Sequence, residues 1–193
     1  MKSLVRSLRN LGVGAGLLLC GGLVADPALA DNTITYTFLG TVTSVGPGLP
    51  QNEFSIGQSM SGSITVDRKP TGKKNGKYAI EDFTVTISDF TATMAGSCGQ
   101  VHIQDVPAPL PEGDQFSVRV YCLAGEDPDE ILPEDPRSFA LTLRGRSDIF
   151  SSNKLPDAIP NVGAFTERNQ FSLVFEGPGR AVTGVVTSVF SSR

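Results

Sequence analysis

The sequence contains no tryptophan, a single histidine and only three tyrosines among its 193 residues. One histidine, His102, excludes the catalytic zinc sites that are built from two or three imidazoles. Tyr36, Tyr78 and Tyr121 all fall inside strand-like runs, so the usual exposed aromatic platforms for sugar rings are not expected. Acidic residues outnumber basic ones by 20 to 16. This balance argues against general nucleic-acid affinity, which depends on Lys and Arg neutralising phosphates.

The first thirty residues have the features of an export signal. Three basic residues precede an apolar run over Leu11–Ala25, and Ala28-Leu29-Ala30 supplies the small residues that a signal peptidase needs. We predict a signal peptide over residues 1–30 and one domain over residues 31–193. Its removal takes away three basic residues and one acid, which leaves 13 basic and 19 acidic residues and a net charge of −6. The mature protein is expected to be secreted or periplasmic.

Two other interpretations of the N-terminal segment are weaker. A membrane anchor needs roughly twenty apolar residues, and this run is shorter and contains several glycines. Lipidation at Cys20 needs a small residue immediately before the cysteine, and Leu19 is large. We expect no transmembrane segment in the mature chain.

Two cysteines, Cys98 and Cys122, remain after cleavage. In an oxidising compartment an even pair most simply forms one disulfide, which on the chain-entropy model contributes about 3 kcal/mol. The alternative is a thiol catalyst at Cys98 aided by His102. It is disfavoured because the chain has no Cys-x-x-Cys pattern and a paired cysteine cannot act as a nucleophile.

Runs rich in Val, Ile, Thr and Phe alternate apolar with polar residues from Thr33 to Phe190. Because side chains alternate across a strand, these runs predict eight or nine strands with one buried face each. The expected fold is all-β, either a single antiparallel β-sandwich of jelly-roll type or a closed β-barrel. Long irregular segments at Gly46–Phe54 and Gly145–Phe165 favour the sandwich. Nearly all of the eleven phenylalanines have inward parity within strands and are expected to fill the core.

Nearly the same six letters occur near both ends of the domain, as GTVTSV over Gly40–Val45 and GVVTSV over Gly184–Val189. Strands of matching chemistry can lie side by side and cover edges that would otherwise aggregate. We therefore predict that these two strands pair in one sheet. Gly40 and Gly184 then mark a bulge or a close approach of the two backbones.

Several phrases of the chain together resemble a known group of domains. YTFLGTVTSV, FSIGQSMSGSITVD, GKYAIEDFTVTISDFTAT, DIFSSNKLP and FSLVFEG occur in this order. They are similar to exported bacterial β-domains often found in proteins with a PEP-CTERM sorting tail. The resemblance implies export and a β fold, and it implies no activity. The Pro-Glu-Pro signal and its apolar segment are missing after Val186-Thr187-Ser188, so sorting by that route is not expected.

Two charged segments are candidate binding sites. The acidic segment Glu126–Asp135 includes Asp127, Asp129 and Glu130, which are candidate ligands for a low-affinity calcium ion, the only cofactor considered. Its spacing differs from that of an EF-hand, and a solvated acidic loop is the simpler interpretation. The basic cluster is predicted at an exposed hairpin tip, where it either contacts an anionic surface or keeps the loop soluble. Its members are Arg68, Lys69, Lys73, Lys74 and Lys77.

These features predict an exported, non-enzymatic structural or binding module. Its expected partner is an extracellular polysaccharide or another exported protein. One alternative is a polysaccharide hydrolase or lyase. A groove lined by two carboxylates or by an Arg-Tyr pair would support this alternative. Another alternative is a hydrophobic-ligand-binding barrel with an unfilled cavity lined by Phe. His102, in the alternating run VHIQDV, is expected to be an outward-facing strand residue.

Overall fold

The computed structural model describes residues 32–71, 76–107, 113–126 and 135–192. This part of the chain is built from antiparallel strands and one short 3₁₀ helix at Val162–Ala164, which confirms the all-β prediction. It contains no helix that is long and apolar enough to span a membrane. The predicted signal peptide lies outside the described residues. The strands are β1 Thr33–Val45, β2 Ser59–Pro70, β3 Lys77–Ile87, β4 Phe90–Met94, β5 Gly99–Gln104, β6 Gln115–Val120, β7 Leu123–Glu126, β8 Pro136–Arg144, β9 Arg168–Phe175 and β10 Ala181–Ser192.

Eight of the strands close into a barrel. The sheet runs in the order β2-β1-β10-β9-β8-β6-β5-β3, and β3 pairs again with β2 to complete the circle. β4 and β7 continue the sheet outside the barrel, beyond β3. Of the two architectures considered from the sequence, the closed barrel is therefore the one present, because the β2–β3 hairpin joins the two ends of the sheet. β7 is a short additional strand that the alternating pattern did not indicate.

The two similar phrases pair as predicted. β1 and β10 are antiparallel neighbours, with Gly40 opposite Val186 and Val42 opposite Gly184. A register irregularity lies between Leu39 and Gly40. A Cβ atom on Gly184 would stand 2.1 Å from the Thr41 carbonyl oxygen and 2.5 Å from the Phe171 ring. Only glycine allows the backbones to approach this closely, so the expected close contact is confirmed.

Aromatic side chains fill the barrel. Ten of the eleven phenylalanines are buried, and Phe190 is the exception. Phe83 lies 5.0 Å from Phe139 and Phe38 lies 5.6 Å from Phe139, measured between ring centroids. Phe171 continues this series at 6.5 Å from Phe139. Rings at these separations are in packing contact, so the interior is a side-chain core.

The segment 145–165 covers one end of the barrel, and a buried carboxylate holds it there. Asp114 Oδ2 accepts hydrogen bonds from the backbone N–H groups of Ile149 and Phe150, at 2.9 and 2.7 Å. Asp114 Oδ1 accepts a third from Val106 at 2.8 Å. The Tyr78 hydroxyl also bonds this segment, because it accepts from the Leu155 N–H at 2.9 Å. The irregular segment thus closes the barrel.

Candidate functional site

The predicted basic cluster lies partly outside the described residues, since Lys73 and Lys74 are not among them. Arg68 forms a salt bridge with Asp157 at 2.9 Å and donates from Nε to the Thr33 carbonyl at 3.2 Å. Lys69 is exposed near the end of β2. Lys77 lies on the outer side of β3 opposite His102, where it joins a different group of residues. Contact of this cluster with an anionic surface stays a prediction.

The predicted calcium ligands Asp127, Asp129 and Glu130 also lie outside the described residues. Within the described ranges, no group of three or more His, Cys, Asp and Glu side chains is arranged to hold a metal ion. The calcium prediction therefore remains untested by the geometry. The predicted disulfide between Cys98 and Cys122 is present, with the two Cα atoms 6.0 Å apart.

The outer side of β6, β8 and β9 carries a groove of about 460 Å³, which we call the arginine groove. Outward residues of the central strand β8 form its floor: Ser138, Ala140 and Thr142. Residues of β6 and the position after it form one wall: Arg119 and Tyr121. Residues of β9 form the other: Arg168, Gln170 and Ser172. The groove exists because the floor residues are small while Arg119, Tyr121, Arg168 and Gln170 on the walls are long.

Strand pairing fixes the relative positions of the groove residues. Arg119 lies opposite Ala140, and Ala140 lies opposite Ser172. Two residues further along β8, Thr142 lies opposite Gln170. Arg119 and Arg168 are two strands apart across the sheet and four residues apart along it. At the usual strand spacing and rise per residue, their Cα atoms are about 16 Å apart. Extended arginine side chains that share a groove across this span can contact one elongated ligand at two points.

The two groove arginines have no acidic partner among the described residues. The neighbouring Arg144 forms a salt bridge with Glu167, with Nε and Oε2 3.1 Å apart. Arg168 lies directly opposite Arg144 in the β8–β9 pairing, which places two cations side by side. Like charges directly opposite each other are destabilising. The arrangement leaves Arg119 and Arg168 available to an anion.

A smaller hollow of about 150 Å³ lies next to the groove, on β3, β5 and β6. Lys77, Gln100, His102 and Arg119 line it, so Arg119 is shared between the hollow and the groove. His102 faces outward and is partly buried, as the alternation predicted. Burial first, and then the positive charges of Lys77 and Arg119, lower the pKa of His102. The imidazole is therefore neutral at neutral pH.

Tyr121 and the disulfide stand at one end of the groove. β6 ends at Val120, and Tyr121 is 56% exposed. The expectation that all three tyrosines lie within strands is therefore wrong for Tyr121, because the strand ends one residue earlier. The Cys98–Cys122 disulfide joins the segments beside Tyr121 and Gly99, where β6 ends and β5 begins. This cross-link ties the backbone next to Tyr121 to the start of β5.

Alternation along β6 indicates that Arg119 points outward, but it does not indicate which strand lies beside it. β7 leaves the barrel to pair with β4, and β8 returns to pair with β6. This excursion brings Arg119 and Arg168 into one groove. The chain matches no known protein family, no curated protein and no solved structure. The geometry of the described residues is thus the basis for the assignment of function.

Proposed function

We propose that the protein is an exported module that binds acidic polysaccharide in the arginine groove. The observation that carries the proposal is the pair Arg119 and Arg168, which share one groove and have no acidic partner among the described residues. A guanidinium presents its donors in a fork that matches a carboxylate or sulfate group. Because the protein as a whole is acidic, arginines grouped on one surface point to a specific anionic ligand.

The rest of the groove fits a sugar chain. Ser138, Thr142 and Ser172 offer hydroxyl groups that both donate and accept hydrogen bonds. Tyr121 exposes an aromatic ring at one end, against which the apolar side of a sugar ring can pack. Nucleic acid is the less favoured polyanion, because its affinity depends on many Lys and Arg contacts to phosphates and the groove offers two arginines. The predicted export would place the groove among extracellular polysaccharides.

The packed interior favours this surface over the alternative of a hydrophobic-ligand barrel. Phe38, Phe83 and Phe139 are each at most 1% exposed and contact one another. Where rings meet at these distances, a second apolar molecule has to displace part of the core, which costs several kcal/mol per large side chain. The outer groove requires no such displacement.

Titration calorimetry with three polymers tests the proposal: polygalacturonate, dextran sulfate and neutral dextran. We expect the first, the second or both to bind and neutral dextran not to bind. Arg119→Gln and Arg168→Gln should each weaken binding about tenfold to a hundredfold, because each removes a charge-assisted interaction of about 1.5–3 kcal/mol. Ala140→Leu should also weaken binding, since a larger side chain fills the groove floor.

Lys69→Gln is the matched control, because it removes a positive charge from the exposed end of β2 outside the groove. Weaker binding of Lys69→Gln with unchanged binding of Arg119→Gln would place the ligand at the hairpin tip and refute the groove. The single histidine gives an independent reporter by proton NMR. A bound polyanion near Lys77 and Arg119 should raise the pKa of His102, and an unshifted titration at saturating ligand contradicts the proposed position.

A further inference from the structure

We propose that the small hollow beside the arginine groove binds the sulfate group of a sulfated polysaccharide. The proposal rests on the proposed function and specifies its ligand, because Arg119 lines both the hollow and the groove. A sugar chain that lies in the groove then places one of its sulfate esters in the hollow. Free sulfate offers the same oxygen atoms as the ester, so the ion and the polymer are separate arms of the experiment.

The charges around the hollow favour an anion. Lys77 of β3 and Arg119 of β6 reach it from the strands on either side of β5. Lys77 pairs with His102, and Arg119 pairs with Gln100 two residues away, so the Cα atoms of the two cations are about 12 Å apart. Both line one hollow of about 150 Å³, which brings an anion there within reach of both charges. The described residues that line the hollow include no Asp or Glu.

The hollow is open in the middle because its central residue is small. Ser117 of β6 is buried, and it lies opposite His102 in the β5–β6 pairing. Its hydroxyl donates to the His102 carbonyl at 3.5 Å, which keeps it against the sheet. Longer side chains surround it on the outer side of the three strands. They are Lys77, Gln100, His102, Gln115 and Arg119.

The arrangement of donors favours sulfate over carboxylate. The Gln100 and Gln115 amides and the His102 ring add neutral N–H groups to the two cations. These donors surround the hollow on three neighbouring strands. A carboxylate presents two oxygens in one plane, and one arginine fork satisfies both of them. A sulfate ester presents three terminal oxygens in a tetrahedral arrangement, so it can use donors that come from several sides.

His102 couples the binding of an anion to the binding of a proton. β3 presents Lys77 to it and β6 presents Arg119, while β5 itself has no charged side chain over Gly99–Gln104. Burial first, and then these two positive charges, lower the pKa of His102. A sulfate group between the cations offsets their repulsion of the imidazolium, so it raises the pKa of His102. By linkage, sulfate binds more tightly as the pH falls.

Titration calorimetry with dextran sulfate and polygalacturonate of matched charge per sugar tests the preference. We expect dextran sulfate to bind more tightly. Lys77→Gln should weaken binding of dextran sulfate about tenfold or more, because it removes a charge-assisted hydrogen bond to the sulfate, and should weaken binding of polygalacturonate much less. Arg168→Gln lies in the groove alone and should weaken binding of both polymers. Lys69→Gln removes a charge outside the hollow and the groove and is the control.

Proton NMR of His102 tests the hollow with sodium sulfate alone, at an ionic strength held constant with sodium chloride. Sulfate should raise the pKa of His102. The affinity for dextran sulfate should then rise as the pH falls from the raised pKa of the complex to the lowered pKa of the free protein. The rise should be about tenfold for each unit by which sulfate raises the pKa. His102→Gln keeps a neutral donor and should abolish this pH dependence.

The outcomes separate the hollow from the groove. If Lys77→Gln binds dextran sulfate as tightly as the unaltered protein while Arg168→Gln binds it more weakly, the sulfate site is refuted and the groove stands. Tighter binding of polygalacturonate than of dextran sulfate also refutes the sulfate site and leaves the groove standing. If free sulfate raises the pKa of His102 but neither polymer binds, the hollow takes the ion alone, and the polysaccharide ligand is overturned. Absence of any response to sulfate or to either polymer overturns both proposals.

Discussion

Replacement of Asp114 by Ala should be one of the most destabilising single changes in the chain. The Asp114 carboxylate is fully buried and accepts three backbone N–H groups, from Val106, Ile149 and Phe150. Alanine removes the acceptor and leaves the donors in place. Each buried donor without a partner costs about 1–3 kcal/mol. Val106 and Phe150 are buried and Ile149 is half-buried, so water can partly rescue only the last.

The two fully buried donors alone sum to a loss of about 2–6 kcal/mol, a large share of the roughly 5–15 kcal/mol that holds a domain together. Urea unfolding followed by circular dichroism measures it. Asp114→Asn is the matched variant, because its one amide oxygen can still accept the two bonds from Ile149 and Phe150. The Asn NH₂ group then faces the Val106 N–H, and one donor is unpaired. We expect Asn to cost about half as much as Ala.

Amide hydrogen exchange locates the effect. Exchange at Ile149 and Phe150 should accelerate in Asp114→Ala more than exchange in the strands, because the segment over the barrel end is released first. A loss of less than 1 kcal/mol, or equal losses for Ala and Asn, would show that the carboxylate does not hold this segment.

Two further changes test the barrel itself. Gly184→Ala should lower the free energy of unfolding by about 1–3 kcal/mol or more, because its Cβ meets the Thr41 carbonyl oxygen at 2.1 Å. The control in the same urea experiment is Gly163→Ala, at an exposed position whose nearest contact is 3.3 Å away. Equal effects of the two substitutions would contradict the close approach of the backbones at Gly184. Removal of the disulfide by Cys98→Ser with Cys122→Ser should cost about 3 kcal/mol and weaken polysaccharide binding, and unchanged binding would show that the cross-link does not position the groove.

The sequence was informative wherever one strand can be interpreted alone. Alternation placed nearly all the phenylalanines inside and His102 outside, and this is confirmed for His102 and for every phenylalanine except Phe190. The repeated phrase also predicted a long-range pair, because matching residues and glycines have to meet at the same level of two strands. Gly40 and Gly184 show this, since each would place a Cβ against the opposite backbone.

The groove was not predictable in the same way. Arg119 and Arg168 become neighbours only because β7 leaves the barrel and β8 takes the place beside β6. The position of β8 beside β6 depends on how the whole sheet closes, and no local pattern near Arg119 predicts it. The end of β6 was another such case. The apolar-polar alternation continues through Tyr121 and places it outward with Arg119, but pairing stops at Val120, and the alternation does not predict that end.

The distribution of polar residues around the barrel argues that the groove arginines do more than keep the protein soluble. The outer side of β1 and β2 carries many hydroxyl groups, and some of these bond one another, as Thr35 and Thr65 do at 3.0 Å. An uncharged hydroxyl surface is well solvated, so solubility does not require arginines elsewhere. The cations Arg119 and Arg168 instead lie on β6 and β9, and Arg168 stands opposite Arg144, whose own charge is paired with Glu167. A bound polyanion can pair with the exposed guanidinium groups of Arg119 and Arg168, which a neutral ligand cannot do. The placement of charge therefore favours an anionic ligand independently of the shape of the groove.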